Sequence, residues 1–238
     1  LLFVAGGDGS VSHIDIADHV NAAFRVSSKK MLDPAPSTAA ATGGTSTIST
    51  AVAAHSVALI SQPGGPSQSM KLLVGSGTGS LYIVDMSNPQ ATYGPNAYTQ
   101  VPTNSGVQLV SDSIASSVLL TVPHPSDPEK FFTASGDGLV RGWDLSTYRQ
   151  RQLLTTESKT ANSVQCHGLC IADGLELQLT AWSDGAVRCH DLSNGKLLWT
   201  HAKAHRTAVT AIALSPSLKY FVTGSSEGEI RIVDIRTR

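Results

Sequence analysis

Five segments of the chain repeat one pattern: an apolar run, a small-polar stretch closing on Gly, a short strand-like run, then Asp and an apolar residue. The copies are LFVAGGDGSVSHIDI, LLVGSGTGSLYIVDM, FFTASGDGLVRGWDL, LQLTAWSDGAVRCHDL and YFVTGSSEGEIRIVDI. From the glycines Gly9, Gly79, Gly138, Gly185 and Gly228, the aspartates Asp15, Asp85, Asp144, Asp191 and Asp234 each fall six residues on. Asp is about one residue in twenty, so five coincidences in five make this a repeat. Alternating apolar residues around a tight turn give each copy the pattern of a β-hairpin. Asp8-Gly9, Asp137-Gly138 and Asp184-Gly185 are turn pairs, because Gly takes positive φ and Asp hydrogen-bonds its own turn backbone. The position two after each glycine is apolar (Val11, Leu81, Val140, Val187, Ile230), so a period of two puts Arg141, Arg188 and Arg231 on the opposite face.

Between neighbouring turn glycines the separation shrinks from 70 to 59, 47 and 43 residues, and the last two approach the roughly 40–45 residues of one WD-repeat propeller blade. The expected fold is therefore all-β, a WD-repeat β-propeller of about five degenerate blades, in which only Trp143-Asp144 keeps the literal Trp-Asp pair. Residues 163–172 and 209–216 read as inner strands and 194–202 as an outer one. His205 precedes an inner strand as in the usual His-to-Asp spacing. Glu227 and Val233 stand where the full polar tetrad has Asp and Trp, so the tetrad is not expected in its usual form. Residues 1–238 read as one partial propeller, with a low-complexity insert at 33–69 that contains a further inner strand and a second extension at about 87–106. Both terminal hairpins lack strands, and propellers use four to eight blades, so flanking blades of a longer, tandem-propeller chain are expected.

Hydrophobic residues make up 41% of the chain, enough for a core, and charged residues 15%, below the roughly 25% of average soluble proteins. A net charge of -1 gives no electrostatic footprint for nucleic acid. Three cysteines are too few for a disulfide framework. No apolar run reaches the length of a membrane span.

Several chemistries are weighed and set aside. The run 75–80, GSGTGS, is followed by a strand and not by the helix that a phosphate-cradling loop requires. On a regular strand Cys166 and Cys170 share a face roughly 13 Å apart, too far for one zinc, with His167 on the other face. His201, His205, Cys189 and His190 make a looser metal set, for which ordinary hydrogen bonding is the simpler reading. No nucleophile elbow stands in a strand-to-helix context. No catalytic residue, cofactor, metal, nucleic acid, membrane or small-molecule substrate is expected.

A more specific resemblance runs through residues 131–235. Cys166-His167-Gly168-Leu169, Ala181-Trp182-Ser183-Asp184-Gly185, the stretch from Ala204-His205-Arg206 to Ile212, and Gly228-Glu229-Ile230-Arg231 follow one another as in a ciliary family. The chain resembles the WD-repeat family of cilia- and flagella-associated proteins at the doublet-microtubule inner junction, or its centriole-wall relative. The resemblance implies a non-enzymatic scaffold of ciliary doublets or centriolar triplets that bridges tubulin and inner-junction proteins, located in the axoneme, centriole or basal body. A soluble WD-repeat adaptor that recruits protein partners, for example a ligase substrate receptor, is the alternative. In propeller geometry the loops between outer and inner strands open on the same rim as the hairpin turns. The candidate partner-facing residues are Trp182, Asp184, Lys203, His205, Arg206 and Glu227, each with a plainer structural reading as turn former, loop brace or packed strand residue.

Overall fold

The computed structural model describes residues 2–7, 10–15, 25–30, 53–62, 69–85, 106–109, 116–147, 149–154 and 164–237. The chain divides into two compact units, Leu1–Ser111 and Asp112–Arg238. In the first, β1 (Leu2–Ala5), β2 (Ser10–Asp15) and β3 (Arg25–Lys30) form one sheet, and β4 (Ala54–Gln62), β5 (Ser69–Ser76), β6 (Leu81–Asp85) and β7 (Gly106–Leu109) form a second. In the other unit, a third sheet holds β8 (Val118–Pro123), β9 (Lys130–Ser135), β10 (Val140–Asp144) and β11 (Arg149–Leu154). The fourth holds β12 (Cys166–Ala172), β13 (Leu177–Trp182), β14 (Val187–Asp191) and β15 (Leu197–His201), and the fifth holds β16 (Val209–Leu214), β17 (Tyr220–Ser225) and β18 (Ile230–Asp234). Strands adjacent in sequence pair antiparallel within each sheet, which is the meander of a propeller blade.

The repeat pattern builds this meander from its turns. Gly79, Gly138, Gly185 and Gly228 take φ of 91°, 78°, 81° and 82°, in the left-handed region that only Gly enters freely. In the third and fourth sheets the preceding aspartate braces the turn: Asp137 Oδ1 accepts the Leu139 N–H and Asp184 Oδ1 the Ala186 N–H, each at 3.1 Å. The second aspartate closes the strand that follows. Asp144 accepts the N–H groups of Ser146 and Thr147, Asp191 those of Ser193 and Asn194, and Asp234 that of Arg236. Asp15 and Asp85 end β2 and β6 in the same register. Asp8 and Gly9 lie outside the described residues, as do most of 33–69, from which β4 emerges, and the 87–105 extension.

Packing alternates by face. Phe132, Ala134 and Val140 of the third sheet meet Cys166, Leu169 and Trp182 of the fourth. On the far side of the fourth, Leu179, Ala181, Val187 and Cys189 meet Val209 and Phe221 of the fifth. Burying a side chain of the size of Phe221, which is 0% exposed, is worth about 1.5–3 kcal/mol. The fourth sheet is thus core on both faces.

Two sequence expectations need correcting. The face that carries Arg141 is itself core, since Arg141 is only 4% exposed and shares that face with Phe131 and Trp143, which are buried, paired across β9 and β10 and stacked with ring centroids 6.2 Å apart. Cys166 and Cys170 do not share a face, because the register slips between Cys166 and Gly168. This bulge at His167 turns Cys166 toward the third sheet and Cys170 toward the fifth. Burial pushes the Cys166 thiol up to about 12, so it stays protonated and unreactive.

Candidate partner-binding rim

The hairpin turns of the fourth and fifth sheets and the loop joining β15 to β16 converge at one end of the second unit. Gly185 sets how closely they meet: a Cβ on it would come within 2.5 Å of the His205 carbonyl oxygen and 2.9 Å of that of Thr207. The His205 N–H donates to the Gly185 carbonyl at 3.0 Å, which fastens the loop to the turn. From the fifth sheet, Arg231 Nη1 donates to the Ala204 carbonyl at 2.6 Å while its other guanidinium nitrogens hold Glu229 Oε1. Gln165 performs the same service between the third and fourth sheets, its Nε2 donating to the Gly136 carbonyl at 3.3 Å.

Inside this rim runs a polar network that sequence reading found only in part. His205 Nδ1 lies 3.1 Å from Glu229 Oε2 and Nε2 lies 2.8 Å from Thr223 Oγ1. Glu229, two residues past the expected Glu227, supplies the carboxylate, and Val233 leaves the network without a tryptophan. The signal for Thr223 was available, because Thr133, Thr180 and Thr223 all stand five residues before their turn glycines. Glu229 carries a carboxyl held below its usual range, first by Arg231 and then by His205.

The turn carboxylates of the neighbouring sheets are paired with the arginines four residues on. Arg188 Nη2 lies 2.6 Å from Asp184 Oδ2, and its guanidinium carbon sits 5.2 Å from the Trp182 ring centroid. Arg141 Nη2 lies 2.7 Å from Asp137 Oδ2. Burial is the largest single influence and pushes both carboxylates up, yet the hydrogen bonds from the arginine and the turn N–H, with Ser135 added at Asp137, together with the arginine charge outweigh it and hold Asp137 and Asp184 below the ordinary range. These pairs lock turns and are not free charges.

Of the six rim candidates, the structure separates four from two. Asp184, Lys203, Arg206 and Glu227 are exposed. The side chains of Lys203, Arg206 and Glu227 have no hydrogen-bond or ion-pair partner among the described residues. Trp182 and His205 correct the expectation: Trp182 is 0% and His205 3% exposed, so neither side chain reaches a partner from the surface. Trp182 fills the seam between sheets and donates its indole N–H to Thr180 Oγ1 at 2.8 Å, while His205 is the loop brace. What remains outside is a small surface of mixed sign on a rigid base, suited to complementary polar contacts and carrying no general acid–base or nucleophilic pair. Among the described residues no group of three His, Cys, Asp or Glu side chains is placed to hold a metal ion, and no helix is long and apolar enough to cross a membrane.

The family model for the WD domain, G-beta repeat, matches residues 195–234, a stretch that runs from the end of the fourth sheet through the fifth. Cilia- and flagella-associated protein 52 of Mus musculus is 33% identical over 109 residues, 45% of this chain and 17% of its own length. Human striatin is 30% identical over 117 residues, 48% of this chain and 15% of its own length. The chain therefore spans about a sixth of the length of these curated relatives. The crystal structure of the computationally designed Ika4 protein superposes with a TM-score of 0.51 at 19% identity, covering 75% of this chain and 98% of that one, a likeness of fold. The chain is an all-β protein of antiparallel sheets that carries a WD repeat at residues 195–234, with homology to cilia- and flagella-associated protein 52 over a little under half its length.

Proposed function

We propose that the chain is part of a non-enzymatic scaffold of ciliary doublet or centriolar triplet microtubules, bridging tubulin and inner-junction proteins. The observation that carries this reading is the identity with cilia- and flagella-associated protein 52, whose name supports a ciliary or flagellar address. In this reading residues 1–238 form one partial propeller with 33–69 as an insert. The four exposed rim residues, Asp184, Lys203, Arg206 and Glu227, are its partner-facing surface. Loops held by a rigid sheet scaffold are where binding residues concentrate, and modest contacts repeated along a polymer add up through effective concentration. The near-neutral chain suits a folded tubulin surface better than acidic tails, which attract clustered Lys and Arg.

Imaging tests the reading. A fluorescently tagged full-length protein in a ciliated cell, viewed at expanded resolution against tubulin, is expected along the axoneme or in the centriole barrel. The Lys203→Glu/Arg206→Glu double variant is expected to weaken that signal while the protein stays folded. A second reading, the soluble adaptor, rests on the comparable identity to striatin, whose name carries no ciliary address. Diffuse cytosolic signal without microtubule enrichment would overturn the scaffold and select the adaptor.

A further inference from the structure

The fourth sheet is core on both faces, and the fifth is not. Phe221 and Val233 turn toward the fourth sheet, so alternation turns their strand neighbours the other way. On that forward face, directly paired residues form two rungs, Ala211–Gly224–Ile230 and Ala213–Val222–Ile232. Ile230 and Ile232 are 73% and 72% exposed. A Cβ on Gly224 would meet only Ala211 among the described residues, at 3.9 Å. Counted from the turn glycine, the positions of the two isoleucines are Val187 and Cys189 in the fourth sheet and Val140 and Gly142 in the third, all buried. There the next sheet covers the forward face: Val140 clusters with Leu169 and Trp182, and Val187 with Val209 and Phe221. The second unit thus makes one kind of sheet-to-sheet contact twice, and the fifth sheet holds the forward half of a third.

The back half of the contact is marked by the residue five before the turn glycine. In the fourth and fifth sheets this is Thr180 and Thr223, on the faces of Trp182 and Phe221, which meet the sheet before. The position is 0% exposed at Val74, Thr133 and Thr180 and 1% at Thr223. In the first sheet it is Val4, which is 45% exposed. Thr133, Thr180 and Thr223 each take an indole or imidazole partner, whereas valine can be buried without one. The first sheet therefore carries an open, apolar back face and the fifth an open, apolar forward face. Both sheets are three-stranded, so β1 and β18 also present strand edges, which invite pairing with another chain.

We propose that the fifth sheet of one copy of this chain packs on the first sheet of a second copy, with Ile230 and Ile232 closing over Val4. The register is the one that joins the third sheet to the fourth and the fourth to the fifth. Continuity with those two contacts selects the occupant: the face required belongs to a sheet of this register with an apolar residue at the slot, and the chain carries such a face uncovered. Because the two faces differ, the contact is head-to-tail and extends copy by copy into a closed ring or a filament. The inference does not depend on the ciliary reading.

Sedimentation of the full chain over a concentration series tests it, and the average mass is expected to rise above the monomer with concentration. Val4→Glu and Ile232→Glu each put an unpaired carboxylate into the seam, so each should raise the dissociation constant at least about tenfold and sediment as a monomer. Mixing the two variants decides the polarity. Val4→Glu copies keep the forward face and Ile232→Glu copies keep the back face, so an equimolar mixture should form one-to-one dimers and stop there. That recovery also shows that the intact face of each variant is folded. A parent chain that is monomeric throughout, or a mixture that stays monomeric, would overturn the proposal. So would a Val4→Glu chain that associates as the parent does, the result that pairing of isoleucine face on isoleucine face would give.

Discussion

The third and fourth sheets share a backbone register and differ in what fills it. Each has a threonine five residues before its turn glycine, buried, with a hydroxyl that takes an indole N–H. In the third sheet the donor is Trp143, ten residues later on the neighbouring strand, at 2.9 Å. In the fourth it is Trp182, two residues later on the same strand, at 2.8 Å. The fifth sheet serves Thr223 with His205. The frame therefore fixes a polar slot and leaves the identity of its partner open, which is how a WD repeat survives with one literal Trp-Asp pair. The cost appears one rung away. With Trp143 in place the third sheet stacks it on Phe131, whereas the fourth, with its tryptophan elsewhere, is left with the polar pair Gln178 and His190.

The most severe way to break this comparison is Trp143→Ala. It removes a fully buried aromatic, its stack on Phe131 and the donor to Thr133, so unfolding free energy should fall by about 3–5 kcal/mol, read from the denaturant midpoint at constant slope. Next in size is acid. Burial, with a smaller contribution from the Arg188 charge, holds His190 down at about 4, from an ordinary 6.5. A base with a depressed folded pKa is stable neutral, so its contribution is complete above pH 6.5 and is lost as pH falls through 4, by up to about 3 kcal/mol. His190→Leu should flatten the stability profile between those values. An unchanged profile would show that the fourth-sheet rung is not where the sheets differ in acid.

How much of this was legible follows from what a period-two pattern encodes. Turn glycines, strand-closing aspartates and inner strands were readable because each needs a residue type at a fixed offset, and a backbone conformation enforces it. The Cys166–Cys170 relation was not, because a single bulge at His167 reverses every face beyond it and leaves no mark in composition. The burial of Arg141 was missed for a different reason, and the same reason kept Trp182 and His205 among the rim candidates beside the plainer readings, packed strand residue and loop brace, that the structure bears out. Alternation tells which residues share a face, while a blade packed between neighbours makes both faces core. Glu229 went unseen because the carboxylate was sought at its usual offset, and a longer Glu reaches His205 from the other side of the turn.

The smaller tests sharpen the comparison at the two ends of the seam. Asp137→Asn and Asp184→Asn remove the same carboxylate from the same turn position, but the arginine side chains they serve are 5% and 11% exposed, and the carboxylates 19% and 29%. The more enclosed pair should lose about 2 kcal/mol and the wetter one under about 1 kcal/mol, measured side by side in denaturant. At the opposite end, Leu218 repeats the left-handed backbone of Glu176, with φ 56°, but its Cδ1 would lie 3.1 Å from a Cβ on Gly174 and so packs against the fourth sheet. Leu218→Gly relieves roughly 1 kcal/mol of backbone strain and gives up a contact of similar worth, so its midpoint should move by less than about half a kcal/mol. Glu176 has no such contact, and for it the same substitution should be a clear gain. If both glycines stabilise equally, the Leu218 contact is not holding the fourth and fifth sheets together, and the difference between the two turns lies only in their charge.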